Sequence, residues 1–151
     1  MKTGEACNRH VIAIDGSASV GDAARRMREA HVGDLVIVRQ EGDHRIPTAI
    51  ITDRDLVLEV LATDLDPDTV TVGDLFCATD LITASVDEEL ESTIDSMWLH
   101  GIRRVPVVDR NGHLVGLIAM DDILRVLSEQ LSNIVRLIRR QAELEAKRRL
   151  Q

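Results

Sequence analysis

The chain has 151 residues, enough for one compact domain or for two small units that share a core. Apolar residues make up 44% of the sequence and are almost all aliphatic, because there is one Phe, one Trp and no Tyr. The formal net charge of −8 and the scarcity of aromatic side chains argue against nucleic acid as the main partner of the whole chain.

The sequence shows no recognisable targeting signal and few cysteines, and both features predict a cytoplasmic protein. No apolar run is long enough to cross a bilayer, and the polar start at residues 1–5 does not resemble a signal peptide. Cys7 and Cys77 are too few for a disulfide framework, so both are expected to be reduced thiols. Cys7 and His10 lack a second Cys/His pair at metal-ligand spacing, so no metal site is expected.

The first half of the chain predicts the order strand, helix, strand, strand, helix. Ser19 followed by Asp22 is typical of a helix N-terminus, and Val20 and Met27 lie on one face of that helix. The two middle strands are rich in β-branched residues and are joined by a polar turn. The predicted elements are a strand at 11–14, the helix from Ser19, strands at 35–39 and 46–51, a helix at 56–61 and a linker at 64–68.

The second half repeats this order. Ile12 aligns with Ile82, and after three extra residues in the first half Asp55 aligns with Asp122. Trp98 follows the second apolar helix position and is expected to be buried or at an interface. The predicted elements are a helix through Leu90, Ile94 and Met97, strands at 105–108 and 114–118 joined by Asn111-Gly112, and a helix from Asp122.

The last helix is predicted to continue to the end of the chain with a narrow apolar seam. Its apolar residues alternate spacings of three and four, a pattern typical of a helix that packs along one stripe. Two interpretations are open, packing against a second subunit or lying across its own domain. The basic end favours a solvated surface over a phosphate-binding or nucleic-acid arm. The seam residues are Leu124, Leu127, Leu131, Ile134 and Ile138.

Thr52 and Asp55 lie where the third strand of the first half ends and the next helix begins. Backbone N–H groups and the positive end of the helix dipole at such a junction suit an anionic ligand group. The same spacing is also a capping box, so a purely structural role in starting the helix stays open. The junction recurs in the second half at Ala119 and Asp122.

The two junctions, in register, resemble the motif of the cystathionine-β-synthase (CBS) domain, of which a tandem pair is called a Bateman module. Further matches are the segment 101–109 and the repeat openings Gly4-Glu5 and Gly73-Asp74. The resemblance implies an α/β fold of two β-α-β-β-α repeats related by a pseudo-twofold axis, plus an extended C-terminal helix. We therefore divide the chain into a first repeat at 1–66, a second repeat at 67–127 and a helical extension at 128–151.

The resemblance also implies a cleft between the repeats that binds an adenosine derivative. The motif carboxylate would accept hydrogen bonds from the ribose hydroxyls, and the motif Thr with two Arg side chains would contact phosphate. Ile82 and Thr83 would frame the base. The residues predicted to bind the ligand are Thr52, Arg54, Asp55, Ile82, Thr83 and Arg104.

A second cleft is predicted to be weaker or vacant. Asp122 keeps the motif carboxylate, but Ala119 replaces the hydroxyl residue and Asp121 stands where Arg54 stands in the first repeat. Two carboxylates at a helix start disfavour phosphate there. The residues predicted for this second site are Ile12, Ala13, Arg103 and Asp122.

The resemblance implies a regulatory module and not an enzyme, since no nucleophile–base pair or metal set is visible in the sequence. Its ligand would be AMP, ADP or ATP, with S-adenosylmethionine less favoured, and no catalytic cofactor is expected. A disc-shaped homodimer and an unidentified protein target are the expected partners. Two alternatives remain, a ligand-free dimerisation module that presents the C-terminal helix to another protein, and nucleic-acid binding through the basic tail.

Overall fold

Two three-stranded sheets, one from each half of the chain, form the framework of the protein. The computed structural model describes residues 1–76 and 81–150, so Cys77 lies outside the described residues. The first half contains α1 (Thr3–Ala6), β1 (Ala13–Asp15), α2 (Val20–Ala30), β2 (Asp34–Glu41), β3 (His44–Thr52), α3 (Asp53–Asp55) and a π-helical segment (Leu56–Leu61). The second half contains a 3₁₀-helix (Val72–Leu75), β4 (Ala84–Ser85), α4 (Leu90–His100), β5 (Arg104–Val108), β6 (Leu114–Ala119) and α5 (Met120–Arg149).

The two sheets have the same topology, which confirms the predicted repeat. In each sheet the short first strand is parallel to the middle strand, and the middle strand is antiparallel to the third. The register of the antiparallel strand pairing also shifts at equivalent positions in the two sheets, between Ile37 and Val38 and between Val107 and Val108. The architecture is therefore the mixed α/β pair that the sequence predicts.

Each sheet buries aliphatic side chains against the helices of its own half. The first core contains Met27 of α2 and the fully buried Leu35 of β2, and the second contains their counterparts Met97 and Val105. Burying one such side chain contributes about 1.5–3 kcal/mol relative to leaving it exposed. Aliphatic residues therefore stabilise both halves without an aromatic core.

The two repeats exchange their first elements. α1 packs against the second sheet, where the hydroxyls of Thr3 and Thr93 share a buried hydrogen bond of 2.7 Å. The 3₁₀-helix packs against the first sheet, and a Cβ on Gly73 would lie 2.8 Å from the carbonyl oxygen of Gly16. The division at 1–66 and 67–127 follows the order of the sequence and stays a prediction, because packing crosses that boundary twice.

Local signals predicted most element starts, and the hairpins are longer than predicted. The hydroxyl of Ser19 accepts a hydrogen bond of 3.0 Å from the backbone N–H of Asp22, as expected for the cap of α2. The helix predicted at 56–61 is π-helical. β2 and β3 extend into the polar turn, and the imidazole of His44 stacks on that of His113 with 4.1 Å between ring centroids.

The surface of the helices decides two open expectations. Trp98 is 83% exposed, so it is not buried within the single chain, and the alternative that it lies at an interface stays a prediction. Residues 127–150 are all exposed, so α5 does not lie across its own domain. In the part of the chain that the structure describes, no helix is long and apolar enough to span a membrane.

Candidate functional site

The junction after β3 holds Thr52 and Asp55 in a reciprocal capping arrangement. The backbone N–H and the hydroxyl of Thr52 donate to Oδ2 of Asp55 at 2.8 and 3.0 Å. The backbone N–H of Asp55 is 3.3 Å from Oγ1 of Thr52. Both side chains are half-buried, which limits their motion and fixes the direction of the carboxylate. A carboxylate held through one oxygen keeps acceptor capacity on the other oxygen for a ligand hydroxyl.

A cleft of about 250 Å³ lies between this strand and the second repeat. β3 forms one wall and the chain just before β4 forms another. Most of the lining side chains are apolar, and the guanidinium of Arg104 supplies a charged group. The lining residues are Thr48, Ala49, Ile50, Phe76, Leu81, Ile82, Ile102 and Arg104.

Arg104 connects the two repeats through an ion pair. Its Nε lies 3.1 Å from Oδ1 of Asp34, whose side chain is only 16% exposed. Asp34 pairs with Thr52 in the ladder between β2 and β3. The guanidinium of Arg104 therefore lies close to the Thr52–Asp55 junction, although it belongs to the other repeat.

The structure brings some of the predicted site residues to the cleft and leaves others at its edge. Ile82 and Arg104 line the cleft, whereas Thr52, Arg54 and Asp55 are not among its lining residues. Arg54 is exposed at the start of α3, next to the junction. Thr83 is exposed as well and precedes β4. The assignment of these residues to a ligand stays a prediction.

The second junction has half of the same arrangement. Oδ2 of Asp122 accepts a hydrogen bond of 2.9 Å from the backbone N–H of Ala119, and no hydroxyl completes the cap. A guanidinium nitrogen of Arg125 lies 3.9 Å from the other carboxylate oxygen of Asp122. That oxygen therefore already has a cation nearby, which makes it less available to a ligand.

Arg103 and the opening of the first repeat lie in different surroundings. Arg103 is exposed and lines a groove of about 440 Å³ between α4 and α5 that also contains Trp98. Ile12 and Ala13 are half-buried and are not part of that groove. The structure thus shows no single described pocket that unites the four residues predicted for the second site, and their joint role stays a prediction.

Sequence reasoning did not assign several residues that line the cleft, among them Phe76 and Ile102, or the ion-pair partner of Arg104. Phe76 is the only Phe of the chain and was not singled out, and Ile102 belongs to a matched segment whose apolar residues were not assigned a role. Asp34 stands in the first repeat where Arg104 stands in the second, and its contact with Arg104 was not predicted. The opposite charges at these two equivalent positions were a readable signal for a contact across the repeat axis.

Cysteine, histidine and carboxylate side chains do not assemble into a metal site within residues 1–76 and 81–150, where no group of three such side chains could hold a metal ion. The cleft itself offers apolar walls and the guanidinium of Arg104, and the carboxylate of Asp55 lies outside its lining.

The family model for the CBS domain matches residues 4–62 and 72–129, which together span most of the chain. This chain belongs to the CBS domain family. The two matches coincide with the two sheets and their helices, so the protein is a tandem CBS pair followed by the long end of α5.

Two relatives are similar to this chain over most of its length. An uncharacterised protein of Methanopyrus kandleri is 37% identical over 126 residues, 83% of this chain and 62% of that protein, so this chain spans less than two thirds of it. Hypoxic response protein 1 of Mycobacterium tuberculosis is 34% identical over 122 residues, 81% of this chain and 82% of that protein. A crystal structure of hypoxic response protein I, with two coordinated zinc ions, is 30% identical with a TM-score of 0.70 and covers 83% of this chain and 98% of its own.

Two solved CBS structures contain adenosine derivatives. A CBS domain protein of Pyrobaculum aerophilum in complex with AMP is 26% identical, with a TM-score of 0.71, and covers 88% of this chain and 99% of its own. The CBS pair of protein MJ0100 in complex with 5′-methylthioadenosine and S-adenosylmethionine is 25% identical, with a TM-score of 0.71, and covers 86% and 98%.

Proposed function

We propose that this CBS pair is a regulatory module that binds an adenine nucleotide in the cleft between its repeats. The observation that carries the proposal is the position of Arg104, which reaches across from the second repeat to the Thr52–Asp55 junction of the first. The AMP and S-adenosylmethionine complexes of the two similar structures support an adenosine ligand.

The binding mode follows from the chemistry of each wall. The base lies against the apolar side chains around Ile82, since a flat ring gains most from apolar contact. Asp55 accepts hydrogen bonds from the ribose hydroxyls, and Thr83 frames the base edge. Thr52 and Arg54 contact the phosphate together with Arg104, because charge-assisted hydrogen bonds to guanidinium groups suit phosphate oxygens.

Size and charge favour AMP over ATP. A cleft of about 250 Å³ is slightly below the usual range of ligand pockets, roughly 300–1,000 Å³, so it suits a nucleoside with its phosphate at the rim. Three carboxylates, of Asp34, Asp53 and Asp55, lie at or beside the junction, together with the guanidinium groups of Arg54 and Arg104. Each additional phosphate group therefore adds repulsion from these carboxylates and lowers the expected affinity. We rank AMP first, then ADP, then ATP, with S-adenosylmethionine as a further candidate.

The second group of predicted residues, Ile12, Ala13, Arg103 and Asp122, is proposed as a weaker site. It lacks a hydroxyl at Ala119, and its motif carboxylate has Arg125 nearby. We therefore expect one strong site per chain.

Signalling requires that the ligand prefer one arrangement of the repeats. The ion pair between Arg104 and Asp34 joins the two repeats. A phosphate that draws Arg104 away from Asp34 replaces this contact, and occupancy is thereby converted into a change in the relation of the repeats or in affinity for a protein target. The proposed role is regulatory and not enzymatic, in the cytoplasm.

The helical surface supports a homodimer, proposed here as disc-shaped. Large apolar side chains remain exposed on the π-helical segment, on α4 and at the start of α5. Large exposed apolar patches are rare on monomeric proteins and mark interaction surfaces. These residues include Leu58, Leu61, Trp98, Leu99 and Met120. The same exposure favours the second candidate function, a ligand-free dimerisation or interaction module that presents α5 to another protein.

The test is calorimetric titration of AMP, ADP, ATP and S-adenosylmethionine into the wild-type protein and into Asp55→Asn. Asparagine keeps one oxygen for the cap but loses the charge, so the fold is expected to be retained. The affinity for AMP is expected to fall about 10- to 100-fold, because hydrogen bonds to a charged group worth roughly 1.5–3 kcal/mol are lost. Asp122→Asn is the matched control in the other repeat and leaves that affinity unchanged. Equal affinity in Asp55→Asn contradicts the site, and no binding by the wild type favours the interaction module.

A further inference from the structure

α2 and α4 are equivalent helices of the two repeats, and they expose the same face. Each has 11 residues, and their buried positions coincide when Met27 is aligned with Met97. The exposed positions therefore coincide as well, and Arg25 of α2 stands where Asp95 stands in α4. The aligned buried residues are Val20, Ala23 and Met27 in α2 and Leu90, Thr93 and Met97 in α4.

These exposed faces carry charges of opposite sign. α2 contains three arginines and two acidic residues, whereas α4 contains two acidic residues and neither Lys nor Arg. The guanidinium of Arg25 lies 2.7 Å from the carboxylate of Asp22 and retains N–H donors for a second carboxylate. Among the residues that the structure describes, no cationic side chain forms an ion pair with Glu91 or Asp95. The acidic face of α4 is thus open to a cationic partner.

A groove of about 680 Å³ opens beside the first half of α2. It lies between α2 and the π-helical segment, and residues of the following linker also line it. Charged side chains among its lining residues are those of Arg25, Asp64 and Asp68. The larger part of the lining is apolar and includes Val20, Ala24, Leu56, Val60, Leu61 and Leu65.

Trp98 has the side chain that suits this groove. It lies near the C-terminal end of α4 and is 83% exposed. An indole combines a large apolar ring with one N–H donor, so it gains most from an apolar groove that also offers a hydrogen-bond acceptor. The groove beside α2 offers both, because the carboxylates of Asp64 and Asp68 belong to its lining.

We propose that two copies of this chain associate with α2 of one protomer antiparallel to α4 of its partner, so that Trp98 of the partner subunit fills the groove beside α2. The antiparallel direction brings the C-terminal end of α4 to the first half of α2, where the groove opens. The twofold axis repeats the contact between α4 of the first protomer and α2 of its partner. This pairing rests on the homodimer proposed above and specifies the helices that form it.

The same register pairs opposite charges along the two helices. Glu91, Asp95 and Trp98 are spaced four and three positions apart, so they lie on one side of α4. When Trp98 of the partner subunit lies at the start of α2, Asp95 of the partner subunit lies beside Arg25, and Glu91 of the partner subunit lies opposite Arg28. Each contact between α2 and α4 thus contains two pairs of opposite charge.

Like charges disfavour the alternative dimer, in which each helix pairs with its own copy. That arrangement would place Arg25 and Arg28 beside the same two arginines of the partner. It would also place Glu91 and Asp95 beside carboxylates of the partner. Juxtaposed like charges select against a wrong partner, so the charge pattern favours the pairing of α2 with α4.

The experiment measures the affinity of the dimer by sedimentation equilibrium at low ionic strength, where surface charges are least screened. One variant carries Arg25→Glu and Arg28→Glu on α2. A second carries Glu91→Lys and Asp95→Lys on α4, and a third carries all four substitutions. Circular dichroism verifies that each variant is folded.

The matched control is Arg39→Glu with Arg45→Glu. It changes the net charge by the same amount as the α2 variant, but both residues are exposed on the hairpin of β2 and β3. A general effect of net charge therefore appears in the control, and the dissociation constants of the charge variants are compared with it.

The pairing of α2 with α4 predicts that the α2 variant and the α4 variant each dimerise about tenfold more weakly, because each places like charges across the contact. The variant with all four substitutions has opposite charges across the contact again, and its affinity is expected to return to within about threefold of wild type. If that variant does not fold, Arg28→Glu and Glu91→Lys, separately and together, repeat the test with one pair.

Two results overturn the proposal, and they are distinguishable. A wild-type protein that stays monomeric contradicts the homodimer itself. A wild-type dimer whose affinity is unchanged in both the α2 variant and the α4 variant contradicts only the pairing, because helices that face their own copies keep like charges across the contact after each reversal. Neither result depends on nucleotide binding, which Asp55→Asn tests separately.

Discussion

Asp34 and Arg104 occupy equivalent positions in the two repeats and carry opposite charges. Each is the first residue of its middle strand, and each pairs across its sheet with the cap residue of the following helix, Thr52 or Ala119. The pseudo-symmetry of the repeats brings the two side chains together at 3.1 Å. The two junctions therefore differ in charge, because the residue paired with Thr52 is an aspartate and the residue paired with Ala119 is an arginine.

Asp34 is expected to compete with the ligand phosphate for Arg104. In Asp34→Asn the guanidinium is free of its carboxylate partner, and the affinity for AMP should rise about two- to fivefold, the range expected for a partly exposed ion pair worth up to roughly 1 kcal/mol. Adenosine, which has no phosphate, is the control and should bind both proteins equally. Weaker AMP binding by Asp34→Asn would show instead that Asp34 holds Arg104 in place for the ligand.

β6 illustrates how an element from the first repeat completes the second. The backbone of Asn8 exchanges two hydrogen bonds of 2.9 Å with Leu117, so the outer edge of β6 is covered. Cys7 packs beside this strand, and burial raises the pKa of its thiol. A Cβ on Gly116 would lie 2.6 Å from Sγ of Cys7 and 2.9 Å from the carbonyl oxygen of Asn8. Glycine therefore permits the close approach of these two segments.

Gly116→Ala is expected to lower the free energy of unfolding by about 1–3 kcal/mol, because the added methyl group overpacks the contact with residues 7 and 8. Urea denaturation followed by circular dichroism measures the change. Gly16→Ala is the matched control, since its Cβ would have an ordinary contact of 3.7 Å with Ile37. Equal stability of the two variants would show that the N-terminal segment yields without cost.

The helical side of the whole molecule contains the one tryptophan of the chain. Trp98 is 83% exposed and borders the groove between α4 and α5. If two copies associate through this side, as proposed for the disc-shaped dimer, the indole passes from water into an apolar interface. The intrinsic fluorescence of Trp98 would then respond to dimer formation without an added label.

Tryptophan emission should shift to longer wavelength when the protein is diluted from a dimeric to a monomeric concentration, because the indole of Trp98 returns to water. Sedimentation at the same concentrations provides the oligomeric state. An emission maximum that stays constant while the protein dissociates would place Trp98 outside the interface.

The sequence alone determined the repeat, the family and the order of the strands and longer helices, but not the short opening helices α1 and the 3₁₀-helix. Hydrophobic spacing and caps are carried by residues close together in the chain, so Ser19, Thr52 and the Asn111-Gly112 turn could be interpreted without knowledge of the fold. The carboxylates of Asp55 and Asp122, and the missing hydroxyl at Ala119 beside Asp122, were visible for the same reason.

The tertiary structure decided which of these residues meet. The contact of Arg104 with Asp34, the presence of Phe76 in the cleft and the exchange of α1 with the 3₁₀-helix each join segments that are far apart in the chain. The exposure of Trp98 and of the apolar seam was also undetermined, because periodicity predicts an apolar face but not what covers it. Those contacts depend on how the two repeats are oriented, and orientation is set by the packing of both together.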